Sequence, residues 1–202
     1  MLLIDRPQET HFLEKTSEER RLYFYEKGED IPLIPQGIWQ VYSGFAQLSQ
    51  LSPQGSEILL RWIQPPSFFG LYFTDTDCYQ AKALSEIYLQ RYTFSEVENS
   101  PHLAQLMLTQ VVHQMRQTET LLAIAGLRRI EERLQELLRL LKQEIGETLA
   151  EGTRLQVRLT HQNIANAIGT TRVTVTRLLG DLQRQGAIEL DGDRHIIIKD
   201  KF

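Results

Sequence analysis

The stretch that most constrains the fold runs from Leu159 to Leu190 and contains two short helical patterns separated by a glycine. In the second pattern, apolar residues recur at i, i+3, i+4 and i+7, as in a helix with one buried face: Val175, Leu178, Leu179 and Leu182. The first pattern, over about residues 161–168, offers a smaller buried face: Ile164, Ala165 and Ile168. Gly169 suits a turn with positive φ, and Thr170 or Thr171 can cap the next helix. The sequence therefore predicts a helix-turn-helix.

The outward face of the second helix carries residue types suited to a DNA major groove. Four side chains point away from the apolar stripe: Arg172, Val173, Thr176 and Arg177. No carboxylate occurs in residues 160–180, and two β-type runs flank the Asp191-Gly192 turn directly afterwards. A hairpin at that place predicts a winged helix. Amphipathic helix pairs with a glycine turn also occur in proteins that bind no nucleic acid, so the pattern alone leaves that alternative open.

Charge is segregated along the chain. The net charge of −4 over 202 residues argues, by itself, against a nucleic-acid partner. Residues 153–202, however, contain eight Lys or Arg and five Asp or Glu, whereas residues 1–152 contain 14 and 21. The predicted DNA-binding end is therefore basic. The excess of positive charge in these residues is small, so tight binding to DNA would need a dimer, which doubles the phosphate contacts.

The amino-terminal half has short β-type runs, from Arg21 to about Phe94. They are separated by turn residues: Gly28, Gly37, Gly44, Gly55 and Gly70. Pro53-Gln54-Gly55 predicts a hairpin turn between two of the runs. These features predict a small antiparallel barrel or jelly roll, preceded by a short helix at about Phe12 to Arg20.

Beyond Pro101 the pattern becomes helical. Apolar and small residues follow alternating steps of four and three along a seam: Ala104, Leu108, Val111, Met115, Thr118, Leu122 and Ala125. Because so narrow a seam on so long a helix needs a partner, it predicts a symmetric homodimer. The alternative is that the seam packs on the barrel of its own chain. Gly126 offers a hinge, a further amphipathic helix is expected from Leu127 to about Ile145, and residues 146–154 are expected to form a loop.

This order of elements resembles the superfamily of the cyclic-AMP receptor protein and the fumarate and nitrate reduction regulator. The run from Gly169 to Leu182, GTTRVTVTRLLGDL, is most similar to the recognition helix of the cyanobacterial nitrogen-control regulators. The resemblance implies an α+β fold. Residues 1–100 would be a cyclic-nucleotide-binding-type β-barrel (jelly roll) sensor, residues 101–126 a dimerisation helix and hinge, and residues 127–202 a winged helix-turn-helix.

The resemblance also implies individual DNA contacts. The base-reading set would be Arg172, Val173, Thr176 and Arg177, and Arg172 matches an arginine that reads guanine. Val173 stands where the cyclic-AMP receptor protein has a glutamate. Because valine accepts no hydrogen bond, the half-site should differ from the one that protein reads, and the resemblance to the nitrogen-control regulators implies a palindrome of GTA-N8-TAC type. Three residues match phosphate-contacting positions: Thr160, Gln162 and Thr171.

The sensor end departs from the family, and the effector stays open. Residues 70–81 contain no arginine and two aspartates, so cyclic AMP is not expected. 2-Oxoglutarate is a candidate that is not favoured, since Gln114 stands where an arginine of the nitrogen regulators would be, just ahead of Gln117-Thr118-Glu119. Cys78 is the only cysteine, and the histidines show no ligand spacing, so neither an iron–sulfur cluster nor haem is expected.

The remaining features define the class of protein. The expected partners are double-stranded DNA, a second copy of the chain and RNA polymerase. The single cysteine, and the lack of a secretory signal or a run of about 18 apolar residues, predict a cytoplasmic protein without a membrane segment. No nucleophile–base pair, phosphate loop or metal cluster is visible, so an enzyme is not expected. The alternative function is a signalling or scaffold protein whose barrel binds a metabolite or a partner protein.

Overall fold

The structure is a computed structural model that describes residues 11–13, 21–35, 37–75, 77–200 and 202. The chain divides into two compact units, Met1–Gln117 and Thr118–Phe202. The division falls inside the long helix, and the functional boundaries predicted after residues 100 and 126 stay predictions. None of the helices in the described part of the chain is long and apolar enough to cross a membrane.

The first unit contains two antiparallel sheets. Its strands, in chain order, are β1 (His11–Leu13), β2 (Leu22–Tyr25), β3 (Ile38–Ser43), β4 (Ala46–Leu51), β5 (Glu57–Ile63), β6 (Phe68–Phe69), β7 (Tyr79–Ala83) and β8 (Ile87–Tyr92). One sheet has the order β1-β2-β8-β3-β6 and the other the order β5-β4-β7. A short helix α1 (Phe94–Glu98) follows. The β-rich amino-terminal domain predicted from the sequence is confirmed.

The core of this unit consists of apolar side chains from both sheets, including Trp39 and Leu89 from one and Leu48 and Ile63 from the other. The indole of Trp39 donates a hydrogen bond to the carbonyl of Pro32 at 2.8 Å, so its one polar atom is satisfied inside the core.

Two local predictions for this unit have different outcomes. The hairpin turn at Pro53-Gln54-Gly55 is confirmed, because Gly55 has φ +79° and the N–H of Ser52 donates to the carbonyl of Ser56 at 2.8 Å. The predicted helix at Phe12 to Arg20 is wrong at its start. Phe12 and Leu13 lie in β1, where pairing with Tyr23 and Leu22 of β2 outweighs the weak helical pattern, and residues 14–20 lie outside the described residues.

The long helix α2 spans Pro101–Gly126, as predicted, and begins at a proline, which suits the first position of a helix. In the first unit one face of α2 contacts the barrel. Met107 packs with Phe68, the amide of Gln114 donates to the Phe68 carbonyl at 2.8 Å, and the Gln117 side-chain oxygen accepts from the Trp62 N–H at 3.1 Å.

The predicted seam lies on a different face of α2, and every one of its residues is exposed: Ala104, Leu108, Val111, Met115, Thr118, Leu122 and Ala125. Leu108 is 65% exposed and Leu122 is 73% exposed. Within the first unit, the seam residues up to Met115 therefore do not pack on the barrel, and their side chains are left uncovered.

The second unit is built from helices and a small sheet. Its elements are α3 (Ile130–Ile145), β9 (Gly146–Leu149), β10 (Gly152–Leu155), α4 (His161–Ile168), α5 (Arg172–Arg184), β11 (Ile188–Leu190) and β12 (Ile196–Ile198). The sheet has the order β11-β12-β10-β9, and the core consists largely of leucines of α3 together with the inner faces of α4 and α5.

The predicted loop over residues 146–154 is wrong, because most of it forms the antiparallel hairpin β9–β10. β10 also pairs with β12, and this pairing supplies backbone hydrogen bonds that the local sequence does not show. Gly152, with φ +144°, is required there: a Cβ atom would lie 2.4 Å from the carbonyl oxygen of Ile198. The two glycines that suggest a loop instead allow a close approach between strands.

Candidate nucleic-acid interface

Helices α4 and α5 are joined by the turn that the sequence predicts. At the start of α4, the hydroxyl of Thr160 accepts from the N–H of Asn163 at 3.1 Å, while the Asn163 side chain accepts from the N–H of Thr160 at 2.9 Å. Gly169 ends the helix in the left-handed conformation, with φ 65° and ψ 49°. Thr171, rather than Thr170, caps α5 by accepting from the N–H of Thr174 at 3.2 Å. The helix-turn-helix is confirmed, with its two ends fixed by local hydrogen bonds.

An arginine from α3 fastens the end of α4. Arg133 donates through Nε to the carbonyl of Leu127 at 2.8 Å and through Nη1 to the carbonyl of Ile168 at 3.1 Å. Ile168 is the last residue of α4, where carbonyl groups lack helical partners and a cation is favoured. The sequence analysis missed Arg133, because nothing near it in the chain shows that its partner lies 35 residues away.

The inner and outer faces of α5 differ as the sequence predicts. The inner stripe is buried: Val175, Leu178, Leu179 and Leu182. It packs on α4, where Ile164 and the small Ala165 are completely buried. The four predicted base-reading residues are all exposed on the other side: Arg172, Val173, Thr176 and Arg177. Val173 is 78% exposed, and such an apolar side chain can contact a thymine methyl group.

The three predicted phosphate-contacting residues are exposed, but the structure does not bring all of them together. Thr160 and Gln162, at the start of α4, line the same groove as Arg172. Gln162 also donates to the side-chain oxygen of Asn166 at 2.6 Å. Thr171 lies at the start of α5 and is not among the groove residues.

The groove is a concave surface of about 590 Å³ between the start of α4, the helix α5 and the hairpin β11–β12. Its lining is Arg158, Leu159, Thr160, His161, Gln162, Arg172, Leu179, Gln183, Ile188, Leu190, Arg194 and Ile196. Three of these are arginines, and none is Asp or Glu, so the groove attracts anions. Arg158 and Arg194 were missed by the sequence analysis because they lie outside the helix-turn-helix pattern.

The hairpin β11–β12 is the predicted wing, and it is held by one carboxylate. Oδ1 of Asp191 accepts from the N–H groups of Asp193 at 2.9 Å and His195 at 2.7 Å, while Oδ2 accepts from Nε of Arg154 at 2.6 Å. The hydrogen bond from Arg154 is the main reason that the pKa of Asp191 lies below its ordinary value. The predicted Asp-Gly turn would place the positive φ on Gly192. In the structure the residue of this turn with positive φ is Arg194, at 63°.

Arg177 is paired with carboxylates on the exposed surface. Its guanidinium lies 3.7 Å from Glu131 of α3 and 3.5 Å from Asp181, one turn along α5. Exposed ion pairs of this kind contribute about 0–1 kcal/mol, whereas a bidentate contact with guanine contributes about 1–3 kcal/mol. The pairs therefore do not prevent Arg177 from reaching a base.

The barrel contains a partly buried arginine, Arg61, which the sequence pattern does not single out. Arg61 lies opposite Leu48 in the β4–β5 register, so both side chains lie on the same face of the sheet, and Leu48 is fully buried in the core. Arg61 Nη2 donates to the hydroxyl of Tyr79 at 3.4 Å, while its Nε is buried without a hydrogen-bond partner. Burial raises the pKa of Tyr79, so this hydroxyl stays neutral and does not balance the guanidinium charge.

In the described residues, no group of three or more His, Cys, Asp or Glu could hold a metal ion.

The chain is similar to known proteins in both of its units. Residues 128–201 match the Crp-like helix-turn-helix domain family. The chain is 33% identical over 162 residues to the global nitrogen regulator of Nostoc sp., covering 76% of this chain and 73% of that protein. It is 32% identical over 173 residues to the regulatory protein CysR of Synechococcus elongatus, covering 83% and 80%.

A crystal structure with a similar fold is that of a CRP-family transcriptional regulator from Thermus thermophilus, with a TM-score of 0.74, 22% identity and coverage of 88% of this chain and 91% of that one. The order of β-rich domain, long helix and winged helix-turn-helix is thus matched along most of the chain, and the exposed face of α5 lies in the matched helix-turn-helix domain. This chain is a member of the Crp/Fnr family of DNA-binding transcription regulators, and it is not an enzyme.

Proposed function

We propose that the protein acts as a homodimer that reads a palindromic DNA site of GTA-N8-TAC type. The observation that carries the proposal is the exposed face of α5, which presents Arg172, Val173, Thr176 and Arg177. Arg172 also lines the adjacent groove, together with Arg158 and Arg194. A helix with such a face fits a major groove, and the adjacent basic groove suits the phosphate backbone.

The uncovered seam of α2 supports the homodimer. Leu108, Met115 and Leu122 are each more than half exposed, and they follow a heptad spacing. Two copies paired along this seam would remove these side chains from water and would double the small positive excess of the DNA-binding end. Two-fold symmetry in the protein then requires a palindromic site.

Within each half-site the roles follow the residue chemistry. Arg172 donates to the guanine, and Arg177, Val173 and Thr176 contact neighbouring base edges. Thr160, Gln162 and Thr171 bond to phosphate and set the register. RNA polymerase in the cytoplasm is the further partner that a transcription regulator of this kind acts upon.

Fluorescence anisotropy with a GTA-N8-TAC duplex and a scrambled duplex of equal length tests the proposal. We expect tighter binding to the palindrome, and we expect Arg172→Ala to remove about 1–3 kcal/mol of that preference per half-site. Arg139→Ala is the matched control, because Arg139 is an exposed arginine on α3, outside the helix-turn-helix, and pairs with Glu136. Equal affinity of the wild-type protein for both duplexes would refute sequence reading.

The barrel supports a second, compatible role, the binding of an anionic metabolite. Arg61 is a cation on the core-facing side of the sheet, with its Nε unpartnered, and a carboxylate would satisfy both the charge and the donor. 2-Oxoglutarate is the first probe. We expect it to raise the Tm of the wild-type protein and of Arg91→Gln, an exposed barrel arginine, but not that of Arg61→Gln. An equal shift in all three proteins would exclude Arg61, and no shift in any would exclude this metabolite.

A further inference from the structure

His161 is a groove residue to which the sequence assigns no role. It is the first residue of α4, and its Nδ1 lies 2.7 Å from Oγ1 of Thr176 on the outward face of α5. The imidazole therefore joins the two helices of the helix-turn-helix at the edge of the DNA-reading face. Burial of the ring is intermediate, so it is accessible from the groove that it lines.

The hydrogen bonds around Thr176 fix the tautomer of His161. The Thr176 hydroxyl donates its only proton to the carbonyl of Arg172, at 2.9 Å. Both contacts of the Thr176 hydroxyl are hydrogen bonds only when His161 donates to it, so we assign the hydrogen of the neutral ring to Nδ1. The neutral ring then has a bare lone pair on Nε2, which repels an anion. Protonation converts Nε2 into a donor and leaves the bond to Thr176 intact.

The charged residues that line the groove around His161 are all arginines. Arg172 on α5 acts on the charge of His161, Arg158 and Arg194 line the same groove, and no Asp or Glu lines it. Burial, followed by the charge of Arg172, lowers the pKa of His161 from its ordinary value of 6.5. The ring is therefore neutral near pH 7 until an anion enters the groove and reverses the local field.

We propose that His161 takes up one proton from solvent when a DNA phosphate enters this groove, and that its Nε2–H then donates to that phosphate. DNA binding by this protein is thus linked to protonation, and His161 is the residue that makes the link. The inference rests on the proposed use of the groove on DNA. It goes beyond that function, because it predicts how affinity depends on pH.

The test measures the DNA affinity of the full-length protein between pH 5.5 and 8, on the palindromic and the scrambled duplex, at constant salt. Because the bound state holds the proton more tightly than the free state, affinity falls as pH rises, by up to about tenfold per pH unit for each protomer. A phosphate contact reads no bases, so the slope should be the same on both duplexes. Calorimetry in two buffers of different ionisation enthalpy counts the protons taken up by the wild-type protein without any substitution.

The variant His161→Gln keeps an amide donor for Thr176 but cannot be protonated, and we expect it to lose the pH slope. His195→Gln is the matched control. His195 lies in the wing and donates from Nδ1 to the carbonyl of Leu155 at 2.8 Å, and this variant should keep the slope. Wild-type binding that does not change with pH, or a slope that survives in His161→Gln, would overturn the inference while leaving the proposed function standing. Absence of DNA binding at every pH would overturn both.

Discussion

The substitution Leu122→Glu tests the dimer seam. Leu122 is 73% exposed in the single chain and would meet its own copy across a two-fold axis. Burial of one leucine side chain stabilises by about 1.5–3 kcal/mol, so the two copies in a dimer contribute about 3–6 kcal/mol. At about 1.4 kcal/mol per factor of ten, the variant should raise the dimer dissociation constant roughly 10²- to 10⁴-fold.

Sedimentation equilibrium over a range of protein concentrations measures this constant, and Ala123→Glu is the control. Ala123 is the next residue of α2, is also exposed, and lies off the seam, so the same charge there should leave the dimer intact. Affinity for palindromic DNA should fall with the dimer, while affinity for an isolated half-site should not. A wild-type protein that stays monomeric, or a Leu122→Glu variant that dimerises like wild type, would show that the seam of α2 does not form a dimer interface.

Two further predictions concern the stability of the DNA-binding unit. Gly169→Ala forces an L side chain into the left-handed conformation at φ 65° and should lower stability by about 1–2 kcal/mol, whereas Gly180→Ala, inside α5 with no atom nearer than 3.8 Å, should raise it by about 0.5–1 kcal/mol. Thermal unfolding of the two variants measures the two changes in stability, which should have opposite signs. Equal changes would contradict the left-handed conformation of Gly169. Asp191 has a lowered pKa, so the stability that its carboxylate contributes is present above its ordinary value of 3.8 and is lost as pH falls below it. The stability of Asp191→Asn should therefore fall less steeply with decreasing pH in that acid range than the stability of wild type. The same pH dependence in both proteins would show that the hydrogen bond to Arg154 does not stabilise the wing.

The parts of the fold that could be predicted from the sequence are those with a local period. The buried stripe of α5, the seam of α2 and the turn glycine Gly169 each depend on spacings within a few residues, and the structure has them where the sequence placed them. Position alone leaves two candidate caps for α5, Thr170 and Thr171, and the hydrogen bond from the N–H of Thr174 identifies Thr171 as the cap. Such patterns are read directly because the helix repeat fixes which side chains share a face.

The parts that could not be predicted depend on contacts between distant segments. The hairpin β9–β10 is stabilised by pairing with β12, and the end of α4 is fixed by Arg133 from α3. The same holds for His161, whose role depends on Thr176, 15 residues later in the chain. The position of Arg61 on the core-facing side of the sheet could not be predicted, because the strand pattern around it mixes two faces.

A double-mutant cycle tests whether Arg172 on α5 reads a guanine in each half of a palindrome. DNA affinity is measured for wild type and Arg172→Ala on the GTA-N8-TAC duplex and on a duplex with both guanines replaced. We expect a loss of about 1–3 kcal/mol per half-site for either change alone and almost no further loss when the two are combined. Losses that add independently would show that Arg172 and the guanine do not interact, and would contradict the claim.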